Sequence, residues 1–262
     1  MPAGTSEFRP ETSGGRPMKR LIVNADDFGF TRGVNEGILR AHREGIVTAT
    51  TLMADGPAFE QAAEMARSTP TLDVGVHLVL WPEDGRLPLR LPSFVARALS
   101  SSAPDIEREF SRQVEKVMAA GLTPSHLDTH KHVHLLPKVM TAVVRVALRF
   151  RIAWVRRPLH ARQITAHGLL TPDHFVGIRL TGRMNRERLL ARLKRLRPGL
   201  TELMCHPGLC DDELRRAPTR LKQERQVELE ALTSPDVRRW LEDQRVELTS
   251  YRALNGTQQV TA

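Results

Sequence analysis

The sequence predicts an α/β protein, an irregular or incompletely closed (βα) barrel of seven or eight mostly parallel strands. Short apolar runs alternate with helical patterns along most of the chain, which is typical of βα units on a parallel sheet. Residues that can bind a metal follow several of these runs, and barrel enzymes carry their sites at the carboxyl ends of strands. The 262 residues, 40% of them hydrophobic, suffice for one large domain. A doubly wound open sheet is the alternative.

The first eighty or so residues contain three predicted strands, with a helix after each of the first two. The strands are Leu21–Asn24, Thr48–Met53 and Asp73–Leu80. Thr31 can cap the first helix, and Gly45 can end it. The second helix begins at Pro57 and ends near Ser68. This order predicts the first βα units of the barrel.

The middle of the chain departs from this alternation. Residues 81–104 hold four prolines and no sustained periodicity, so we expect a lid or a substrate-side loop there. Apolar residues then recur at helical spacing from Ile106 until Gly121 ends the pattern. The fourth strand, Ser125–Asp128, is followed by a helix that begins at Pro137.

The rest of the chain contains four further predicted strands and two predicted helices. The strands are Ala153–Arg156, Phe175–Leu180, Thr201–Met204 and Val246–Thr249, and the helices cover about 217–232 and 235–243. One folded domain is therefore expected at 18–253, between a disordered N-terminal extension (1–17) and a C-terminal tail (254–262).

The composition excludes several classes of protein. Residues 1–17 lack the apolar stretch of a signal peptide, and no apolar run approaches the roughly 20 residues that span a bilayer, so we expect a cytoplasmic protein. Cys205 and Cys210 form no disulfide framework and are expected to be reduced thiols, because a zinc site would need two further ligands.

The net charge of +9 allows a patch for nucleic acid or anionic lipid. One Tyr and three Trp leave no aromatic interleaving for base stacking, and the Arg-rich block 183–197 fits a solvated helix face. We therefore expect no nucleic-acid partner. Peripheral membrane contact and a homodimer stay open.

Two strand ends carry candidate metal ligands. Asp26 and Asp27 directly follow the first strand, where adjacent residues point to opposite sides, so one carboxylate could bind a metal while the other reaches bound water. A capping turn before Thr31 is the alternative. His77 interrupts an apolar strand, where a lone histidine is commonly a core residue with a satisfied hydrogen bond.

Polar residues occupy every second position after the fourth strand begins. They are His126, Asp128, His130, His132 and His134. An extended chain would place them on one face, but the strand is expected to stop near Asp128 and turn, so not all can reach one point. An adventitious histidine patch is the alternative. Because the Asp pair and His77 lie at equivalent strand ends, we favour one shared metal site, with Asp128 or a spare histidine orienting a ligand.

Two later segments could assist the chemistry. His206 ends another strand before Pro207, and an imidazole ordinarily titrates near neutrality, so it could donate a proton to a leaving group. A plain loop histidine is the alternative. Arg156 and Arg157 end the strand before that, and one of them could orient a carboxylate, bind substrate or form an ordinary ion pair.

Together these segments resemble the YdjC-like carbohydrate deacetylase family, which includes the chitooligosaccharide deacetylase ChbG. The resemblance runs from about residue 18 to 253 and is carried by Asn24–Gly29, Gly75–Leu78, His126–His134 with Pro137, and His206–Gly208. It implies an irregular NodB-like (βα) barrel. It also implies an enzyme that uses one divalent metal, magnesium or zinc, to remove acetyl groups from N-acetylated sugars.

The resemblance also assigns roles. It implies that Asp27, His77 and His130 bind the metal, that Asp26 is the general base and that His206 is the general acid. Arg157, Asp128, His132 and His134 are the expected substrate-binding or supporting residues. Residues Thr171–Gly177 and Glu202–Gly208 also resemble the hopanoid-associated branch, which implies an N-acetylglucosaminyl lipid rather than a free oligosaccharide as substrate.

Two other functions fit the same ligands. Two histidines and one carboxylate also form the facial triad of non-haem iron oxygenases, which usually have antiparallel sandwich scaffolds. A non-catalytic sugar-binding protein could use the metal for recognition alone.

Overall fold

The computed structural model describes residues 12–13, 16–80 and 91–258. Its strands are β1 (Thr12–Ser13), β2 (Arg16–Pro17), β3 (Lys19–Phe28), β4 (Ala49–Leu52), β5 (Asp73–Leu78), β6 (His126–Thr129), β7 (Trp154–Val155), β8 (His174–Val176), β9 (Gly199–Cys205) and β10 (Val246–Leu248). Its α-helices are α1 (Arg32–Arg43), α2 (Phe59–Arg67), α3 (Leu91–Ser100), α4 (Ala103–Ala119), α5 (Pro137–Arg149), α6 (Arg162–Thr165), α7 (Arg186–Leu193), α8 (Asp212–Arg216), α9 (Gln223–Leu232), α10 (Pro235–Asp243) and α11 (Tyr251–Gln258). Short 3-10 helices cover His130–Leu135 and Ile178–Leu180.

One parallel sheet organises the molecule, with the strand order β7-β6-β5-β4-β3-β9-β8. The central strand, β3, pairs with β9 along one edge, and with β10 and then β4 along the other. No pairing joins β7 to β8 within the described residues, so the barrel is incompletely closed. The predicted architecture is confirmed. The two-residue strands β1 and β2 form a separate antiparallel pair.

The outer face of the sheet packs against the helices. In β3, Leu21, Val23 and Ala25 belong to the main apolar core together with Val34 and Ile38 of α1. Each fully buried side chain of this size contributes about 1.5 to 3 kcal/mol to folding. This layer between sheet and helices supplies most of the core.

The inner face of the sheet begins with a small apolar floor at the amino ends of the strands. Ile22, Ala49, Trp154 and Leu200 pack there against Tyr251 and Leu254 of α11. The Trp154 indole also donates a hydrogen bond to Asn255 Oδ1 at 2.8 Å. Tyr251 and Leu254 lie about one helical turn apart, so both can face the floor. The helix α11 therefore continues the folded domain beyond residue 253, which we expected from the sequence to be its last residue.

Three expectations about single elements were wrong, and they concern the loop 81–104, the helix 217–232 and the strand Phe175–Leu180. Residues 91–100 of the expected loop 81–104 form α3, and α4 begins soon after it, while 81–90 lie outside the described residues. The region 217–232 is helical only from Gln223, with the short helix α8 before it. Within the extension 1–17, expected to be disordered, residues 12–13 and 16–17 form the strand pair β1 and β2, and the other residues lie outside the described ones.

The third correction concerns the expected strand Phe175–Leu180. The strand ends at Val176, because Gly177 adopts a φ of 132°, a conformation that side chains disfavour. A Cβ on Gly177 would lie 2.5 Å from the carbonyl oxygen of Met204, so only glycine fits this close approach.

Among the helices of the described part of the chain, none has the length and apolarity to cross a membrane.

Candidate functional site

Asp26 and Asp27 lie near the carboxyl end of β3, and both line a cavity of about 290 Å³ at the carboxyl end of the barrel. In a regular strand they would point to opposite sides, as the sequence led us to expect. Asp27 instead has a φ of 71°, and the pairing of β3 with β4 shifts register between Ala25 and Phe28. This left-handed residue breaks the alternation and brings both carboxylates to the cavity.

Three atoms from distant segments form a small triangle in this cavity. Asp27 Oδ1 lies 3.1 Å from His130 Nδ1 and 3.3 Å from His77 Nε2, and the two nitrogens are 3.1 Å apart. A cation with bonds of about 2.1 Å holds adjacent ligands roughly 3.0 to 3.4 Å apart in octahedral or tetrahedral coordination. The three residues expected as ligands therefore meet at one point and could hold a metal ion.

The ring of His77 is oriented by Asp128. His77 Nδ1 lies 2.6 Å from Asp128 Oδ1, and the Thr51 hydroxyl donates to Asp128 Oδ2 at 3.1 Å. Burial lowers the pKa of His77, but Asp128, with Asp27 and Asp26, more than offsets this and raises it to about 10. With the Nδ1 proton directed at Asp128, Nε2 is the atom that faces the triangle. Metal-binding histidines commonly have such a carboxylate behind them.

The second oxygen of Asp27 is held by Arg225 of α9, which the sequence did not indicate. Arg225 is 2% exposed and donates to Asp27 Oδ2 at 2.5 Å. Despite burial, this guanidinium keeps the pKa of Asp27 well below its usual range. Asp27 is therefore ionised, with Oδ1 left to face the histidines.

Asp26 is held by the buried Arg156, which follows β7. The Arg156 guanidinium donates to Asp26 Oδ1 at 2.6 Å and to Oδ2 at 2.7 Å, and its Nε donates to Glu202 Oε1 at 2.7 Å. Despite burial, it holds the pKa of Asp26 well below the usual range. Asp26, His77 and Asp128 could also surround a cation, but Arg156 Nη1 already lies 2.7 Å from Asp128 Oδ2.

Arg157, which the family resemblance favoured, lies away from this cluster. Its guanidinium donates to the carbonyl oxygen of Pro172 at 3.0 Å. The sequence had left both arginines open, and the structure gives the contact with Asp26 to Arg156.

His206 lines the same cavity from the end of β9. Its backbone N–H donates to Glu228 Oε2 at 2.6 Å, and Glu228 Oε1 accepts from the N–H of Gly182 at 3.2 Å. Burial lowers the pKa of His206 to about 4, so its ring is neutral at pH 7. The sequence gave no signal for Glu228, which is on α9.

The remaining histidines separate at a turn. Lys131 and His132 both have left-handed φ angles, 56° and 54°, which end the alternation that began at His126. His132 lines the cavity and meets Phe175 edge-on at 5.7 Å between ring centroids. His134 lies behind it, with Nδ1 2.6 Å from the Thr129 hydroxyl.

The charge around the triangle favours a cation. The carboxylates of Asp26, Asp27, Asp128, Glu202 and Glu228 are all buried there. Only Arg156 and Arg225 are comparably buried cations among the described residues around this cavity. Burial raises the pKa of Glu202 and of Glu228 to about 7, which removes part of the excess negative charge. A divalent ion would offset more of it, since unpaired buried charge is costly.

A family model described as YdjC-like protein matches residues 20–243. The chain belongs to the YdjC-like family. The resemblance found in the sequence is thereby confirmed. Two relatives of this YdjC-like chain, both called carbohydrate deacetylase, come from Geobacillus stearothermophilus and Thermoanaerobacter pseudethanolicus. They are 38% and 33% identical to it, over 88% and 90% of this chain and 96% and 100% of their own.

Solved structures share the fold of this YdjC-like protein. An Enterococcus faecalis protein for which cellobiose-phosphate cleavage has been suggested aligns with a TM-score of 0.79 and 28% identity, over 90% of this chain and 99% of its own. A family 4 carbohydrate esterase from Streptomyces lividans, in complex with acetate, aligns at 0.53 and 12% identity, over 90% and 94%. The second likeness concerns the fold alone.

Proposed function

We propose that this YdjC-like protein is a metal-dependent carbohydrate deacetylase. It hydrolyses the acetamido group of an N-acetylglucosamine-containing oligosaccharide or glycolipid and releases acetate. The observation that carries the proposal is the triangle of Asp27, His77 and His130 beside the ionised Asp26 in one cavity. The carbohydrate deacetylases among the relatives support the reaction and the class of substrate.

Asp27, His77 and His130 would hold one divalent ion through one oxygen and two nitrogens. When bound, such an ion supplies Lewis-acid polarisation of an acetyl carbonyl and lowers the pKa of water. Two imidazole ligands suit zinc, and magnesium is the alternative. The hopanoid-associated glycolipid stays a prediction about the substrate.

Asp26 has room for one more hydrogen bond. A carboxylate offers about four lone-pair sites, of which Arg156 takes two and Asn24 takes one. The low pKa of Asp26 keeps it ionised at physiological pH, so the remaining site can accept a proton from an attacking water. Asp26 therefore takes the role of general base.

His206 delivers a proton to the sugar amine as the carbon–nitrogen bond breaks. Its ring is neutral at rest, because burial holds its pKa at about 4, so it must first gain a proton. The acid form of Asp26 can supply that proton, since the low pKa of Asp26 makes this form a strong acid. The proton removed from water thus reaches the leaving amine, and acetate is released.

Acetate release from the metal-loaded protein tests this function. The wild type, loaded with zinc or magnesium, is screened against chitooligosaccharides and N-acetylglucosaminyl lipids, with Asp26→Asn as the matched control. We expect acetate from at least one substrate class, released at least about a hundredfold more slowly by the variant. Saturable sugar binding without acetate would contradict the proposal and favour a sugar-binding protein.

The oxygenase alternative is disfavoured by the scaffold. Every strand pair in the main sheet of the described residues is parallel, whereas the facial-triad oxygenases usually use antiparallel sandwiches. Oxygen consumption with Fe(II) and 2-oxoglutarate would contradict the deacetylase proposal.

A further inference from the structure

A chain of hydrogen-bonded side chains leads from the interior of the barrel to Asp26. The Ser125 hydroxyl lies 2.8 Å from His126 Nδ1, and His126 Nε2 lies 2.9 Å from Asn24 Oδ1. The Asn24 amide nitrogen then donates to Asp26 Oδ1 at 2.9 Å. Asn24 and His126 are 0% exposed. The mechanism above uses neither Ser125 nor His126.

The negative charge of Asp26 determines which group donates and which accepts in each of these hydrogen bonds. The amide nitrogen of Asn24 must face Asp26, because two oxygens at 2.9 Å would repel each other. Asn24 Oδ1 then faces His126, which must carry its proton on Nε2. His126 Nδ1 in turn accepts from the Ser125 hydroxyl.

If the donors and acceptors were exchanged, each of these hydrogen bonds would be less favourable. Ser125 would have to donate to the carbonyl oxygen of Val74 at the longer distance of 3.4 Å. His126 would then carry its proton on Nδ1, and Asn24 would turn its oxygen toward the Asp26 carboxylate. The observed distances therefore select one tautomer of His126.

The imidazole of His126 is fixed in position by its neighbours. A Cβ on Gly75 would lie 2.6 Å from His126 Nδ1 and Cε1, so the absence of a side chain there makes room for the ring. The ring stacks on Tyr251 of α11, with 3.9 Å between centroids and 21° between planes. Burial, with the charge of Arg156, holds the pKa of His126 well below its ordinary value and keeps the ring neutral.

We propose that Asn24 and His126 are positioning residues for the general base. Arg156 fixes the carboxylate by two hydrogen bonds, and Asn24, oriented by His126, occupies a third lone pair. One lone pair of Oδ2 is then left free of these hydrogen bonds, and it is available to the attacking water. This inference rests on the proposed deacetylase function, because it assigns Asp26 the part of the base.

Kinetics of three single variants and one double variant test the proposal. His126→Phe keeps a ring to stack on Tyr251 but cannot donate to Asn24, and His126→Gln keeps a donor. We expect His126→Phe to lower kcat for acetate release about tenfold, the loss of one hydrogen bond, with KM and bound metal unchanged. His126→Gln should recover most of that loss. Asn24→Leu should match His126→Phe, and the double variant should lose no more than either.

Additive losses in the double variant, or losses confined to KM or to metal content, would overturn the proposal. A second measurement does not depend on activity or on the folding of a variant at His126. Nitrogen-15 NMR of the wild-type ring, assigned through its bonded carbons to the backbone of His126, should show a proton on Nε2 and none on Nδ1.

In Asp26→Leu the anion that orients Asn24 is gone, and the second tautomer of His126 should appear. A proton on Nδ1 in the wild type would overturn the proposal. The wild type could release no acetate while the tautomer of His126 still changes between the wild type and Asp26→Leu. That result would contradict the deacetylase function alone, and would leave the orientation of Asp26 by Asn24 and His126 supported.

Discussion

The two faces of strand β3 differ more than any two separate parts of the molecule. Leu21, Val23 and Ala25 face the helices in the main apolar core. Asn24 and Asp26 alternate with them and face the barrel interior, where each makes hydrogen bonds with a distant strand. Stability and chemistry thus occupy alternate residues of one strand, because successive side chains point to opposite faces.

The difference also concerns the kind of interaction. Burial on the outer face is non-directional and tolerates changes of shape at moderate cost. The inner face buries Asp128, Arg156 and Glu202 completely, and breaking such a pair leaves an uncompensated charge. We therefore expect substitutions on the inner face to reduce catalysis or metal affinity, and to reduce stability as well where they unpair a buried charge. Substitutions on the outer face should reduce stability alone.

The largest effect is expected at Asp26. Asp26→Asn removes the proposed general base while preserving the shape of the side chain, so kcat should fall about 10²- to 10⁴-fold. Steady-state acetate release gives the rate, and metal analysis checks that the ion is still bound. Retention of more than a tenth of the wild-type kcat would remove Asp26 from the reaction.

The outer face should respond in the opposite way. Leu203 of β9 is fully buried in the main core and pairs in register with Val23 of β3. Leu203→Ala should lower the free energy of unfolding by about 2 to 5 kcal/mol, because it leaves a cavity. Urea unfolding measures this loss. The kcat per folded molecule should stay within about twofold, and a much larger fall would mean that the two faces are not separable.

Asp128 lies on the inner face without touching the proposed ion. Asp128→Asn should weaken metal affinity about 10- to 100-fold, because it removes the carboxylate that orients His77. Competition with a chelator measures the affinity, and kcat at saturating metal should be nearly unchanged. Unaltered affinity would contradict the orienting role of Asp128.

The pKa of His77 predicts a pH dependence of metal binding. Its folded-state pKa of about 10 means that the ring carries an extra proton at lower pH, and the metal must displace that proton. The apparent affinity should therefore fall about tenfold for each pH unit between pH 8 and pH 6.5. Asp128→Asn should flatten this slope, since it removes the main charge that raises the pKa. A slope that is the same in both proteins would be inconsistent with this explanation.

The smallest effect is expected at Arg157. Arg157→Ala removes a partly buried side chain whose guanidinium bonds the Pro172 carbonyl, so kcat should change less than about twofold. Arg156→Ala is the matched comparison, since it unpairs Asp26 and should abolish most activity. Equal effects of the two substitutions on kcat would mean that Arg157 also contributes to the reaction.

The sequence predicted the architecture and a metal site shared by the Asp pair, His77 and the histidine segment, because these residues follow predicted strands. The family resemblance narrowed the expected ligands to Asp27, His77 and His130, which the structure brings together. It did not separate Arg156 from Arg157, since β7 has only two residues and a shift of one residue exchanges the two faces. The contacts of Arg225 and Glu228 depend on how α9 packs against α1 and α7, and no local pattern encodes that packing.

The orientation of Asp27 also could not be predicted. A left-handed aspartate is an exception to the alternation of a strand, and local propensity does not require it. The helix α3 was missed because prolines around it suggested a loop, although Pro92 lies in its first turn, where proline is tolerated.

The central claim is that Asp27, His77 and His130 grip one cation. A crystal structure of the zinc-loaded protein, with anomalous scattering measured at the zinc edge, tests it most directly. We expect a single peak about 2.0 to 2.2 Å from Asp27 Oδ1, His77 Nε2 and His130 Nδ1. A peak elsewhere, or none at saturating zinc, would contradict the account.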